Sequence, residues 1–150
     1  MSVSSSRIVD EWVILEKKMI LRILVSMVVM LGLDGLWIGV IAKSSYYAAY
    51  GHILNLHDGQ LQPVWWAAAL VYVFLLFGVH YYGFSMLSIS WKQVVIESAI
   101  FGWVVYGVYD FTCLALFKSW PIMMTCIDVA WGGVLCGLTA FFTLVLCRLI

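Results

Sequence analysis

Three aspartates within apolar runs are the residues of this sequence best suited to chemistry. They are Asp34, Asp110 and Asp128. A carboxylate inside a bilayer costs on the order of 2.5–3.5 kcal/mol on insertion scales, so it normally faces other protein groups or water. Three carboxylates that lie close together cannot all be ionised without compensation. Such a cluster could take up protons, hold a cation or contact a polar headgroup.

Aromatic hydrogen-bond donors accompany these carboxylates. Trp37 follows Asp34 by three residues, and Trp131 follows Asp128 in the same way, in two copies of Asp-x-x-Trp-x-Gly-Val. Residues i and i+3 share a helix face, and a buried indole N–H needs an acceptor. These donors could equally do no more than pin the helices together. The complete predicted site is Asp34, Asp110, Asp128, Trp37, Trp131, Tyr72, Tyr106 and Tyr109.

The composition places the chain in a membrane. Apolar residues make up 65% of it and charged residues 11%, whereas a soluble domain has about 25% charged residues. Its 150 residues suffice for about four spanning helices of roughly 20 residues each. The net charge is zero and no basic patch is present, which excludes nucleic acid as a partner. The lipid bilayer is the first predicted partner, and no cofactor is predicted.

Four long apolar runs predict an all-α membrane protein, a four-transmembrane-helix bundle. The residues that precede it, 1–18, form a cytoplasmic or interfacial segment. Within this segment, the spacing of apolar residues predicts a short amphipathic helix that lies in the membrane interface. The alternative is a tail joined to a longer first helix. The transmembrane domain covers 19–150, with predicted spans at 19–42, 63–87, 94–117 and 121–147.

The distribution of Lys and Arg predicts that both termini are cytoplasmic. Six of these residues lie on the predicted inner face and two on the outer face, and cytoplasmic flanks carry the excess. With a rise of 1.5 Å per residue, all three aspartates then lie about 10–12 Å below the outer surface. Three different helices thus bring one carboxylate each to the same level. This predicts an outward-facing acidic pocket with aromatic walls.

Other polar residues give weaker signals, and no metal site is predicted. His52, His57 and Asp58 lie in the linker between the first two spans, where an ordinary polar loop is favoured over a zinc site. His80 is interpreted as an interfacial histidine beside an aromatic belt. Glu97 is a favourable charge near a helix N-terminus. The four cysteines show no CxxC spacing and are interpreted as reduced packing residues.

Two segments of the sequence resemble a known family. They are "LDGLWIGVIAKSSYY" (33–47) and "VVYGVYDFTCLALFKSWPIMMTCIDVAWGGVLCG" (104–137). Together they resemble the predicted bacterial membrane proteins grouped as domain of unknown function 2177. Cys113 stands where the family pattern has Asn. The resemblance implies a four-span protein of the bacterial inner membrane and no particular reaction. The residues that carry it are Asp34, Trp37, Gly39, Tyr106, Tyr109, Asp110, Leu114, Ala115, Trp120, Pro121, Asp128, Ala130, Trp131 and Gly132.

The predicted function is to bind or transport a small cationic or polar solute. Proton uptake by Asp34, Asp110 and Asp128 could be coupled to it. Four spans are few for a complete pathway, so a homodimer is predicted. One alternative is a membrane-embedded enzyme acting on lipid headgroups, with two carboxylates as general acid and base. The other is a structural or assembly subunit. An enzyme is less favoured: the sequence contains neither GxxxxGK[ST] nor GxGxxG, which argues against nucleotide use, and it has no Ser nucleophile with a paired base at depth.

Overall fold

Helices make up most of the computed structural model, which describes residues 5–149 of the chain, with side chains from Trp12 onwards. The helices are α1 (Ser5–Leu36), α2 (Lys43–Tyr50), α3 (Trp65–Gly78), α4 (Trp91–Leu116) and α5 (Ile122–Leu149). Four helical segments are long and apolar enough to cross a membrane, which confirms the predicted all-α membrane bundle. They are Trp12–Ile41, Trp65–Ser88, Trp91–Leu116 and Ile122–Leu149.

The first helix is longer than the predicted span. α1 runs without a break from Ser5 to Leu36, so the segment predicted as a separate interfacial helix continues directly into the first span. No glycine or proline interrupts residues 5–31, and these are the residues that most disfavour a helix interior. A π-helical turn, Trp37–Ile41, follows α1, with the N–H of Ala42 donating to the carbonyl oxygen of Trp37 at 2.8 Å.

The second span also ends in irregular helix. After α3 the chain forms a π-helical turn, Val79–Gly83, and a 3₁₀ turn, Phe84–Ser88. Ser90 then caps α4, because its side chain accepts a hydrogen bond from the N–H of Lys92 at 3.2 Å. Such a cap satisfies one of the backbone donors left free at a helix start. π-Helical turns are rare and are frequent at functional sites. In the described part of the chain, one ends the first spanning segment and the other precedes the 3₁₀ turn that ends the second.

The linker after the first span is folded, which the sequence did not predict. It contains α2 and a small antiparallel hairpin of Leu56–His57 and Gln60–Leu61. Asp58 and Gly59 make its two-residue turn with φ of +49° and +73°, the positive values that a type I′ turn requires. The hairpin is tied to α2, since the N–H of Leu61 donates to the hydroxyl of Tyr47. We call this end of the bundle the hairpin face, and the opposite end the terminal face.

The bundle is built on close packing of α4 against α5, with α1 lying along α5. A Cβ added at Gly102 would meet the carbonyl oxygen of Gly132, and one added at Gly132 would meet the ring of Tyr106. Small residues of this kind let helix backbones approach closely in a membrane. This close approach joins α4 and α5, the helices that carry Asp110 and Asp128.

Candidate functional site

The three aspartates converge inside the bundle near the hairpin face. Asp34 on α1, Asp110 on α4 and Asp128 on α5 are 5%, 1% and 7% exposed. Asp128 lies close enough to both Asp34 and Asp110 for their charges to interact. The carboxylates therefore face protein rather than lipid. We call these three residues the acidic cluster.

Asp34 has both carboxylate oxygens occupied by hydrogen-bond donors. The indole N–H of Trp131 donates to Oδ1 at 2.9 Å, and the hydroxyl of Tyr72 donates to Oδ2 at 2.8 Å. Tyr72 was predicted as a donor, but Trp131 was expected to serve Asp128, its neighbour on α5. Instead its side chain crosses to α1. Asp34 thus joins three spans, α1, α3 and α5, through two hydrogen bonds.

The two Asp-x-x-Trp motifs contact each other directly. The rings of Trp37 and Trp131 stack with centroids 4.3 Å apart and planes 8° from parallel. Trp37 begins the π-helical turn after α1, and its Nε1 is buried without a hydrogen-bond partner. It therefore supports Trp131 by stacking and does not donate to Asp34. The motif repeat corresponds to a packing contact between the end of the first span and the start of the fourth.

Asp128 is held by a residue of the linker. The hydroxyl of Tyr46, on α2, donates to Oδ1 of Asp128. Burial and this hydrogen bond raise the pKa of Tyr46 well above its ordinary value, so its hydroxyl stays protonated as a donor. A hydrogen bond to a charged acceptor is stronger than one between neutral groups. This contact fastens α2 over the acidic cluster.

Asp110 is the carboxylate with unused hydrogen-bonding capacity. Its Oδ1 is buried without a partner, and so are the hydroxyl of Tyr50 and the Nε1 of Trp120. The ring centroids of Tyr50 and Trp120 are 4.9 Å apart. The indole N–H of Trp120 approaches Asp110 without completing a hydrogen bond. Burial, then the charges of Asp128 and Asp110, raise the pKa of Tyr50. Three unpartnered polar groups therefore meet at one place, which we call the open corner.

The two remaining predicted tyrosines differ in position. Tyr106 is half-buried and lies near enough to Asp34 and Asp128 for electrostatic interaction. Tyr109 is 61% exposed, although it lies near enough to Asp110 and Asp128 for electrostatic interaction. Its ring is edge-on to Trp120, with the ring centroids 6.5 Å apart. The structure thus brings Tyr106 to the cluster and leaves Tyr109 at its margin.

Sequence reasoning missed three residues of this site: Tyr46, Tyr50 and Trp120. Tyr46 and Tyr50 are four residues apart in "KSSYYAAY", a spacing that places both on one face of a helix. That spacing could have predicted α2 as an aromatic cover. Trp120 precedes Pro121 in the turn between α4 and α5, and only the folded structure shows that it reaches Asp110.

Basic side chains from the described part of the chain do not pair with the acidic cluster. Among residues 12–149, no Lys or Arg nitrogen comes within 4.0 Å of the three carboxylates. In the described part of the chain, no group of three or more His, Cys, Asp or Glu is placed to hold a metal ion. His57 and Asp58, which were weighed as ligands, pair with each other at 3.1 Å on the exposed hairpin. Among the described residues, the groups that stabilise these carboxylates are therefore hydrogen-bond donors and not basic side chains.

The fold and the buried acidic cluster together define a polytopic α-helical membrane protein. Residues 19–145 match the sequence model of a family described as Predicted membrane protein (DUF2177). The match covers most of the chain, so the chain belongs to this family, which confirms the resemblance seen in its motifs. No curated protein and no solved structure matches the chain.

Proposed function

We propose that the protein binds a small cationic or polar solute at the open corner and moves it across the membrane, with the acidic cluster taking up protons. The observation that carries this proposal is the unpartnered Oδ1 of Asp110, a residue only 1% exposed, beside two further unpartnered groups, those of Tyr50 and Trp120. Leaving such a group buried and unsatisfied costs about 1–3 kcal/mol. A bound ligand that offers donors would remove that cost.

The chemistry of the open corner favours a cation with N–H or O–H donors. Asp110 provides an acceptor, and no lysine or arginine among residues 12–149 competes for it. Aromatic rings lie around the open corner. The ring centroid of Trp120 is 4.9 Å from that of Tyr50 and 5.9 Å from that of Phe117. A cation close to such faces gains about 0.5–2 kcal/mol. An ammonium group or a hydrated monovalent cation fits both features.

The three carboxylates have different roles in this proposal. Asp34 has both oxygens occupied and positions the helices. Asp128 holds α2 through Tyr46, and its charge acts on both other carboxylates. Asp110 contacts the solute. A site of this kind works only if α2 moves, because α2 covers the cluster and every carboxylate is less than 8% exposed.

We further propose that the hairpin face points away from the cytoplasm, in the inner membrane of a bacterium. The six-to-two distribution of Lys and Arg supports this orientation. In a variant without native cysteines, Ser45→Cys on α2 should react with a membrane-impermeant maleimide on intact cells. Ser88→Cys, exposed at the other end of the bundle, should react only after lysis. The reverse labelling pattern would show that the orientation is inverted.

Solute binding can be measured on the purified protein in lipid nanodiscs. We expect ammonium chloride to change the tryptophan fluorescence saturably, and N-methyl-D-glucamine chloride, whose cation is bulky, to have no effect. Asp110→Asn removes the charge but keeps the shape. It should weaken ammonium binding roughly 10- to 100-fold, because hydrogen bonds to charged groups contribute about 1.5–3 kcal/mol. Asp58→Asn is the matched control, since Asp58 is 91% exposed on the hairpin.

Two outcomes would overturn the proposal. One is that ammonium, sodium and potassium all fail to bind saturably to the folded wild-type protein. The other is that Asp110→Asn binds ammonium as tightly as Asp58→Asn does. The assembly-subunit alternative predicts that Asp→Asn variants of the whole acidic cluster fold normally and keep every measurable property. The lipid-headgroup enzyme predicts instead an altered lipid profile in a deletion strain.

A further inference from the structure

A second polar cluster lies along the same α1–α5 contact, towards the terminal face. Nε2 of His80 is 3.1 Å from Oγ of Ser26, and Oγ of Ser26 is 3.1 Å from Oγ1 of Thr143. Ser26 and Thr143 are fully buried. The three residues come from three different spans, and His80 lies in the π-helical turn Val79–Gly83. This chain of hydrogen bonds has no part in the acidic cluster.

The hydrogen-bond roles in this chain can be reversed. The hydroxyl of Ser26 donates to the carbonyl oxygen of Arg22 at 2.8 Å, so its two lone pairs can accept from His80 and Thr143. If the hydroxyl turns, it donates to Thr143 instead. When a protonated His80 passes its Nε2 proton to Ser26, Ser26 passes its own hydroxyl proton to Thr143. Thr143 must then pass its own proton to a further acceptor, which water admitted beside it would supply. Imidazole can take part because each of its two ring nitrogens can act as a donor or an acceptor.

His80 connects the hydrogen bonds of Ser26 and Thr143 to the terminal face. It is half-buried and lines a cavity of about 620 Å³ with Tyr82, Ser85 and Glu97, large enough to hold water. The charged groups that face His80 are Arg22 from α1 and Glu97 from α4. From α5, the hydroxyl of Thr143 contacts Ser26 and not His80 itself. His80 therefore links the cavity to Ser26 through its hydrogen bond.

The series of polar side chains extends one residue further towards the acidic cluster and then ends. Thr139, one helical turn from Thr143, is fully buried and its Oγ1 has no partner. Beyond it lie Met30 and Cys136, both fully buried in the apolar core. Met30 is four residues from Ser26 and four from Asp34, so these side chains share one face of α1. Met30 is thus the residue that separates the two polar clusters along α1.

We propose that His80, Ser26 and Thr143 form a second proton-exchange station, open to the terminal face and divided from the acidic cluster by a dry layer of Met30 and Cys136. This inference rests on the proposed function in that the acidic cluster exchanges protons with the other side. The arrangement gives each membrane face its own station. The dry layer prevents a passive leak between them, because proton transfer needs hydroxyl, imidazole, carboxylate or water in succession.

The test is to make the dry layer polar and ask where protons pass. Met30→Ser would place a hydroxyl and room for water between Ser26 and Asp34. In proteoliposomes with an entrapped pH dye and a clamped membrane potential, we expect Met30→Ser to raise proton flux at least tenfold over wild type. Adding His80→Gln should return it to the wild-type level. Met30→Leu, which keeps an apolar side chain of similar size, should not leak.

Each outcome decides the question. If Met30→Ser fails to fold, Cys136→Ser, which is nearly isosteric, opens the same layer from α5. No leak in a folded variant of either kind, or a leak that persists after His80→Gln, overturns this inference. Ammonium binding measured on the same proteins keeps the two proposals apart. If ammonium binding is intact and the proton leak does not depend on His80, only the proposal of a second proton-exchange station is overturned. A leak that requires His80, with no effect of Asp110→Asn on binding, defeats only the proposed function.

Discussion

Replacing Asp34 by leucine is expected to destabilise the folded protein by about 2–6 kcal/mol, since two buried donors would lose their acceptor at about 1–3 kcal/mol each. These donors are the indole N–H of Trp131 and the hydroxyl of Tyr72. Leucine branches at Cγ as aspartate does, so loss of the acceptor dominates over any change of shape. The loss is comparable with the whole stability of a domain, about 5–15 kcal/mol. Little folded protein should remain after extraction into detergent.

Asp34→Asn is the matched control for this prediction. Its amide oxygen can accept from Trp131, and its NH₂ group can donate to Tyr72, whose hydroxyl also accepts. We therefore expect the asparagine variant to unfold within about 1 kcal/mol of wild type, less than one unsatisfied group would cost. Thermal unfolding in micelles, followed by circular dichroism, compares the three proteins. Equal stability of the leucine and asparagine variants would show that Asp34 is not a structural acceptor.

The contrast between Asp34 and Asp110 distinguishes a structural carboxylate from one available for a ligand. Both are buried, and burial alone would not separate them. Asp34 has a donor on each oxygen, whereas Oδ1 of Asp110 has none. Buried polar groups in folded proteins are normally hydrogen-bonded, and an exception needs an explanation. For Asp110 the explanation offered is a bound solute, while Asp34 needs none beyond packing.

The number of spans and the convergence of the three carboxylates could be predicted from the sequence. Hydropathy marks a spanning helix directly, because lipid admits few charged residues. The fixed rise of a helix then converts a residue's position into a depth. For this reason the sequence alone predicts one level for Asp34, Asp110 and Asp128, and the structure brings these residues close together. The same arithmetic gives no information on which way a side chain points around the helix axis.

The partners of each carboxylate could not be predicted, because they depend on rotation and packing between helices. Trp131 shares a face with Asp128, yet it bonds to Asp34 across the bundle. Tyr109 is next to Asp110 in the chain and points outward. The linker presented a further difficulty, since a segment rich in Tyr, Gly, His and Asn indicates a loop. Its fold-back as α2 is fastened by tertiary contacts that the sequence does not specify, above all the one between Tyr46 and Asp128.

That contact leads to the second large effect. Tyr46→Phe should loosen α2, because it removes a hydrogen bond to a carboxylate worth about 1.5–3 kcal/mol. Each 1.4 kcal/mol is a factor of ten in an equilibrium. The amides of Lys43–Tyr50 should therefore exchange with deuterium roughly 10- to 100-fold faster, provided that exchange proceeds through local opening of α2. Exchange in α4 and α5 should change little, since their mutual packing stays intact.

Tyr47→Phe separates this effect from a general loss of tyrosine hydroxyls. Tyr47 lies on the same helix, but its hydroxyl accepts from Leu61 of the hairpin at 3.2 Å, a neutral bond worth about 0.5–1.5 kcal/mol. Its removal should accelerate exchange in the hairpin and leave α2 close to wild type. If the two variants accelerate exchange in α2 equally, the hydrogen bond between Tyr46 and Asp128 is not what holds α2 over the acidic cluster. If Tyr46→Phe also speeds ammonium release, the motion of α2 controls access to the open corner.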